Sequence, residues 1–199
     1  MNPSRDAILA RLREALEGSS PQPRQDEPGT WPTPDPVAEF AEKAAEYQAR
    51  VWRMQEAEAP ARLAEIIGPH RAAVAPGLPR RLAPAGAQIR SCIPAREAED
   101  HDIAVTGCRL AIAETGTIVL DHGPDQGTRS LTLLPDHHIC LVRTDQIVAG
   151  VAEAVAALKG AGLQTWISGP SATSDIELIR VEGVHGPRRL DILILEPDA

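Results

Sequence analysis

The sequence predicts an α/β domain from about residue 37 onward, and three observations predict it. Beyond residue 70, short β-type runs recur, each bounded by Gly, Pro or Asp. Between His138 and Ile167 a strand, a helix and a strand succeed one another, the pattern of a parallel crossover unit. Near the end, Leu190-Asp191-Ile192-Leu193-Ile194-Leu195 is almost all apolar, as a strand covered on both faces should be.

Taken in order, the first element is a helix over Ser4–Glu17. Ser4 can cap it, Asp6 suits its positive end, Ile8, Leu9, Leu12 and Leu16 form one stripe, and Gly18 stops it. Six of the 18 prolines then crowd into Gly18–Pro36, which reads as a linker or a surface-hugging arm. The division is therefore a helix and arm over 1–36 and an α/β domain over 37–199. From Val37 the helical period returns, with Val37, Phe40, Ala44, Tyr47, Val51 and Met54 on one face for about five turns. That stripe would dock on the domain's own sheet or serve as a homo-oligomer seam along a Val37–Met54 helix. A shorter helix, Ala61–Ile67, ends at Gly68-Pro69. Strands are expected at Ala72–Ala75, Gln88–Ile93, Ile103–Val105, Leu110–Ala113, Thr117–Asp121, Ser130–Leu134 and His138–Val142. Asp145 opens a helix with Ile147, Val148, Val151, Val155 and Leu158 inward, followed by strands Leu163–Ile167, Ile176–Val181 and Arg189–Leu195.

Composition removes several function classes. A net charge of −8 leaves no basic surface to neutralise phosphates, so nucleic-acid binding is not expected. No stretch reaches the roughly 20 apolar residues needed to span a bilayer, and Met1–Gly18 has no export-signal layout, so the expected location is cytoplasmic. Cys92, Cys108 and Cys140 contain no CxxC pair, so no zinc or iron–sulfur centre is expected on this chain's thiolates. Aromatic residues number five, and Trp31, Phe40, Tyr47 and Trp52 all lie early, so the core beyond them is aliphatic.

Three segments carry more polar groups and glycine than a core needs. In Thr106–Thr117, Glu114 on a strand–turn junction suits general-base or nucleophilic work, and Arg109 could clamp a carboxylate. The bland reading is a tight turn with Glu114 in solvent. Ser168–Glu177 is rich in Gly, Ser and Thr directly after an expected buried strand, where parallel sheets bind anions, although it also fits a hydroxyl-rich turn. It is not a P-loop, lacking the lysine and second glycine. In Asp136-His137-His138 adjacent side chains of a strand point to opposite faces, so the two histidines cannot share one metal without a bulge. One could contact a ligand, or both could be hydrogen-bonded at a strand start. His122 and His185, each beside a glycine, are equally open.

These segments resemble the signature of the LUD (lactate utilization) domain family, and most closely its LutC branch, also called the YkgG type. The resemblance lies in Thr106-Gly107, Ala111–Leu120 with its Glu-Thr-Gly-Thr core, Leu133–His138, Ser168–Glu177 with its Gly-Pro-Ser-x-Thr-x-Asp-Ile-Glu core, and Val184-His185-Gly186-Pro187. It covers roughly residues 37–199. It implies an open, mostly parallel sheet with helices on both faces, as in glucosamine-6-phosphate deaminase, ribose-5-phosphate isomerase and CoA transferases. It also implies a cluster-free subunit of a complex oxidising L-lactate to pyruvate, with iron–sulfur clusters on partner subunits and no cofactor in this chain. By analogy to CoA transferases, Glu114 would be the catalytic group. Arg109, Thr115, Gly116, Thr117, His137, Gly169, Ser171, Thr173, Asp175 and Glu177 would bind the substrate anion in one pocket. Two other functions remain open from sequence: a stand-alone enzyme on a sugar phosphate or acyl-CoA, and a non-catalytic interaction module.

Overall fold

A computed structural model describes residues 3–17, 31–84, 86–173, 181–182 and 185–198. The first helix, α1 (Pro3–Leu16), carries Asp6 in its first turn and Arg13 in its last, complementing the helix dipole. Its apolar stripe stays open to solvent at Ile8, Leu12 and Leu16. Most of the proline-rich arm, 18–30, lies outside the described residues. Where the description resumes, Trp31 donates to Glu39 at 2.8 Å and packs against Gly150.

Helix α2 (Pro36–Glu46) starts on Asp35, whose carboxylate accepts from the amides of Val37 and Ala38, with proline at a position whose amide is not needed. The continuous helix expected over Val37–Met54 does not form. The chain leaves helical geometry at Tyr47, Gln48 takes a left-handed φ of 69°, and Arg50–Gln55 becomes strand β1. The helical spacing of Val51 and Met54 is coincidental, because in a strand they face opposite ways. Val51 packs toward Phe40 and Ala44, whereas Trp52 and Met54 pack toward Leu63. The self-association seam therefore has no Val37–Met54 helix to run along.

Helix α3 (Ala59–Ile67) holds Pro60 in its first turn and ends at Gly68, whose φ of 53° closes it. Strands β2 (Ala72–Val74), β3 (Gln88–Ile89), β4 (Ile103–Thr106), β5 (Leu110–Ile112) and β6 (Thr117–Leu120) follow. Ser130–Leu134, expected as a strand, is instead the one-turn helix α4 (Arg129–Leu133), entered from an extended Thr128. Its apolar run is too short for periodicity to separate helix from strand. After β7 (His137–Arg143), the helix expected from Asp145 is split into β8 (Ile147–Val148) and α5 (Val151–Ala157). Gln146 causes the split, donating to Cys108 O at 2.7 Å and accepting from the Arg143 amide at 2.9 Å, which presses Ile147 and Val148 onto β5. The chain ends with β9 (Thr165–Ile167), β10 (Ala172–Thr173), β11 (Val181–Glu182) and β12 (Arg189–Glu196). Most of the strand expected over Ile176–Val181 lies outside the described residues.

Six strands form an all-parallel sheet in the order β1-β12-β7-β4-β2-β3. On one face α3 closes a core of Leu63, Ile67, Ile139, Leu141, Leu193 and Leu195. On the other, Ile192, Ile194 and Val142 meet α2 and a second sheet, β8-β5-β6-β9. Helix α5 covers the outer side of that second sheet through Ala154 and Leu158. The architecture is thus α/β with a mostly parallel principal sheet. One expectation is corrected: β9 is no parallel crossover partner of β7 but pairs antiparallel with β6 in the smaller sheet. The neighbours of β7 are β4 and β12, and the continuous apolar run of β12 is explained by that central place.

Candidate functional site

The starts of β7 and β12 organise the site. Arg189 is the register partner of His137 and Leu190 that of His138, so the two histidines project from opposite faces of the sheet. His138 points toward the second sheet, and its Nε2 lies 2.8 Å from Thr106 Oγ1. Burial, reinforced by neighbouring His137, pushes the His138 pKa down to about 4, so the ring is neutral at pH 7. Both histidines are hydrogen-bonded at a strand start, one of the two readings the sequence allowed.

From the second sheet, β9 delivers Ser168-Gly169-Pro170-Ser171 opposite His138. A chain of hydroxyls positions this loop: Thr115 Oγ1 to Thr117 Oγ1 at 2.7 Å, then Thr117 Oγ1 to Ser168 Oγ at 2.8 Å. Gly169 has a φ of 83°, and a Cβ there would lie 2.3 Å from the Tyr47 carbonyl oxygen, so only glycine permits this close approach. The Ser171 amide donates to Pro187 O at 2.8 Å, and the His185 amide donates to Ser171 Oγ at 3.4 Å. Segments 168–171 and 185–187 are thereby stitched together.

The result is a cavity of about 290 Å³ lined by His138, Thr165, Ser168, Gly169, Ser171, His185 and Pro187, with Trp166 and Leu190 among its walls. Thr165 is fixed by His122 Nε2 at 3.0 Å. The cavity offers hydroxyls, the neutral His138 imidazole and a turn of backbone, and no Asp, Glu, Lys or Arg is among the described residues that line it. Such a set can hydrogen-bond a small polar ligand and hold it out of bulk water. The placement of the cavity differs from expectation: Ser168–Ser171 follows an antiparallel strand, and the cavity meets the amino ends of β7 and β12.

Other expected site residues sit elsewhere. Glu114 accepts from the Val151 amide at 2.9 Å, at the start of α5, and does not line the cavity. Gly116, with a φ of 61°, lies against the backbone of Lys43 and Ala44 in α2. Arg109 is exposed and paired with Asp121, Nε to Oδ2 at 3.6 Å. His137 lines a different cleft on the α3 face. Thr173 belongs to the β10–β11 hairpin, while Asp175 and Glu177 lie outside the described residues. The structure thus gathers Gly169 and Ser171 at the cavity, with Thr115 and Thr117 behind them, and sets Glu114, Arg109 and His137 apart.

Sequence reasoning assigned no site role to Thr106, Thr165 or Asp191. Asp191 is fully buried and accepts from His137 Nε2, from Arg50 at 2.6 Å and from Trp52 Nε1 at 3.1 Å. Burial pushes its pKa up, but hydrogen bonds from His137, Arg50 and Trp52 outweigh this and hold it below the ordinary carboxylate value. The available signal was a lone carboxylate inside an otherwise apolar strand, which demands buried partners. Cys108 and Cys140 are buried and Cys92 is exposed, all three as free thiols. Hydrogen bonding to Cys140 and burial raise the Cys108 thiol well above its ordinary value. Among the described residues, no group of three or more His, Cys, Asp or Glu side chains is placed to hold a metal ion, and no helix is long and apolar enough to cross a membrane.

The LUD domain family profile matches residues 93–195, which contain every strand start and loop of the cavity. The chain is 40% identical over 202 residues to Lactate utilization protein C of Deinococcus radiodurans, covering 94% of this chain and 93% of that protein. It is 39% identical over 108 residues to uncharacterized protein YkgG of Escherichia coli, and 35% identical over 109 residues to Lactate utilization protein C of Bacillus licheniformis. Those matches span 46% and 45% of the two relatives. Among solved structures, a crystal structure of a DUF162 family protein from Deinococcus radiodurans superposes with a TM-score of 0.70 at 37% identity, covering 80% of this chain and 96% of that one. With half the chain under the family profile and a relative matched along almost its whole length, this chain belongs to the LUD domain family.

Proposed function

We propose that this chain serves lactate utilization as the cluster-free subunit of a complex that oxidises L-lactate to pyruvate. The observation that carries the reading is the convergence of three resembling segments, at His138, Ser168–Ser171 and His185–Pro187, on one cavity of about 290 Å³. A pocket of that size suits a three-carbon hydroxy acid, with Ser168, Ser171 and backbone amides donating to its carboxylate and neutral His138 beside it. Relatives named Lactate utilization protein C support the same role. The electron-carrying iron–sulfur clusters would belong to partner subunits, since the three cysteines here lack ligand spacing, and the complex would work in the cytoplasm.

The test is reconstitution of the cluster-bearing subunits with and without this chain, followed by lactate-dependent dye reduction. Activity that requires the chain and falls with Ser171→Ala supports the proposal. Undiminished reduction when the chain is omitted overturns it.

A further inference from the structure

We propose that Thr106 is a positioning residue for the cavity at His138: its hydroxyl holds the imidazole in the tautomer whose proton is on Nδ1, so the ring meets a ligand as a hydrogen-bond donor. The proposal rests on the reading of that cavity as the ligand site, and not on the identity of the ligand.

Ala104 is the register partner of His138 on β4 and Thr106 that of Cys140, so Thr106 stands two residues further along, on the same face and diagonal to the ring. That spacing brings Thr106 Oγ1 within 2.8 Å of His138 Nε2. Thr106 is fully buried, and Nε2 is the one hydrogen-bond partner its hydroxyl has among the described residues. A buried hydroxyl carries a proton that needs an acceptor. If Nε2 bore the ring's proton, the threonine proton would be left without one. Thr106 therefore donates to Nε2, and in a neutral ring the remaining proton sits on Nδ1. Burial, reinforced by His137, keeps the ring neutral at pH 7, with a pKa of about 4.

Nδ1 has no hydrogen-bond partner among the described residues. Gln55 Oε1 is the single buried side-chain nitrogen or oxygen left without a partner there, so Nδ1 is not sealed in the core. His138 is 1% exposed and lines the cavity, which is where that nitrogen opens. Ser171 adds a second donor: its Oγ accepts from the His185 amide at 3.4 Å and keeps its own proton to give. Neither Lys nor Arg is among the described residues lining the cavity, so recognition falls to these neutral donors. They suit an oxygen acceptor, a carboxylate or a carbonyl, and oppose a ligand that brings a proton of its own to that point. Without the Thr106 hydroxyl nothing fixes which ring nitrogen carries the proton, and the seat loses its set polarity.

The experiment is long-range proton–nitrogen NMR of the full, isotope-labelled chain at pH 7, which separates a protonated from a bare ring nitrogen. The His138 signals are identified by their loss in His138→Gln. The ligand-free wild type is expected to show Nδ1 protonated and Nε2 bare and hydrogen-bonded. Thr106→Ser keeps those signals, whereas Thr106→Val moves the Nε2 signal to that of a nitrogen without its hydrogen bond. A parallel titration uses pyruvate, which offers oxygen acceptors and no hydroxyl. There Thr106→Val weakens binding about fivefold, the worth of one neutral hydrogen bond, and Thr106→Ser restores it. A proton on Nε2 in the wild type overturns the proposal, and that measurement decides even if the valine variant does not fold. A folded Thr106→Val chain that keeps the wild-type Nε2 signal, or binds pyruvate like the wild type, overturns it as well. A wild type with Nδ1 protonated that binds no pyruvate supports the positioning of the ring and counts against the lactate reading alone, so the two failures are distinguishable.

Discussion

Glu114 and Val151 are joined by a hydrogen bond of 2.9 Å from the Val151 amide to Glu114 Oε2, and that bond closes the amino end of α5. A carboxylate at this position satisfies an amide the helix cannot, and its charge complements the helix dipole. Glu114→Ala is expected to cost about 1 kcal/mol in urea denaturation, whereas Glu114→Gln, which keeps an acceptor, recovers most of it. An alanine variant as stable as the wild type would show that the bond contributes nothing.

The parts of the fold legible in the sequence are those where one local signal dominated. The Gly68-Pro69 stop of α3 and the apolar run of β12 each left one outcome. The α2–β1 boundary was hidden because Val37, Phe40, Ala44, Tyr47, Val51 and Met54 keep helical spacing across a turn made by Gln48, a residue with no turn signature. The split at Gln146 was hidden too, since Ile147 and Val148 are set by side-chain bonds to Cys108 and Arg143 rather than by their own period. For the cavity, the participating segments were legible from their resemblance, but their meeting was not. It depends on β9 joining β6 in a second sheet, a long-range pairing that periodicity does not encode.

His138 makes stability pH-dependent in a known direction. Its folded pKa of about 4 lies below the ordinary value of 6.5, so the unfolded chain binds the proton more readily. Its contribution is complete above pH 6.5 and is lost as pH falls toward 4. At the low end the loss is on the order of 3 kcal/mol. Denaturation midpoints of wild type and His138→Gln across this window check it: the wild type should fall more steeply with acid. Parallel curves would show that the ring is not buried as a neutral group.

Asp191 works in the carboxylate direction. Its folded pKa is held below the ordinary 3.8, so its stabilisation is present above that value and disappears as pH falls through the folded one. Asp191→Asn leaves His137, Arg50 and Trp52 facing a neutral amide and is expected to cost about 3 kcal/mol at pH 7. Relative to the wild type, that penalty should shrink in strong acid. A penalty independent of pH would assign the loss to packing rather than charge.

Two glycines of the cavity separate backbone demand from mere proximity. At Gly169 a Cβ would meet the Tyr47 carbonyl oxygen at 2.3 Å, and the φ of 83° is itself unfavourable for any other residue. Neither obstacle can be relieved without moving the turn after α2 or the loop that carries Ser168 and Ser171. At Gly186 the nearest atoms are Ser171 Cβ at 3.5 Å and Leu133 Cδ2 at 3.6 Å, which is ordinary contact. Gly169→Ala is therefore expected to cost about 2–4 kcal/mol, while Gly186→Ala stays within about 0.5 kcal/mol. Thermal melts of the two variants read the difference directly. Equal melting temperatures would mean that the Ser168–Ser171 loop is not held against Tyr47, and the cavity wall would then lack the rigid support that a preorganised pocket requires.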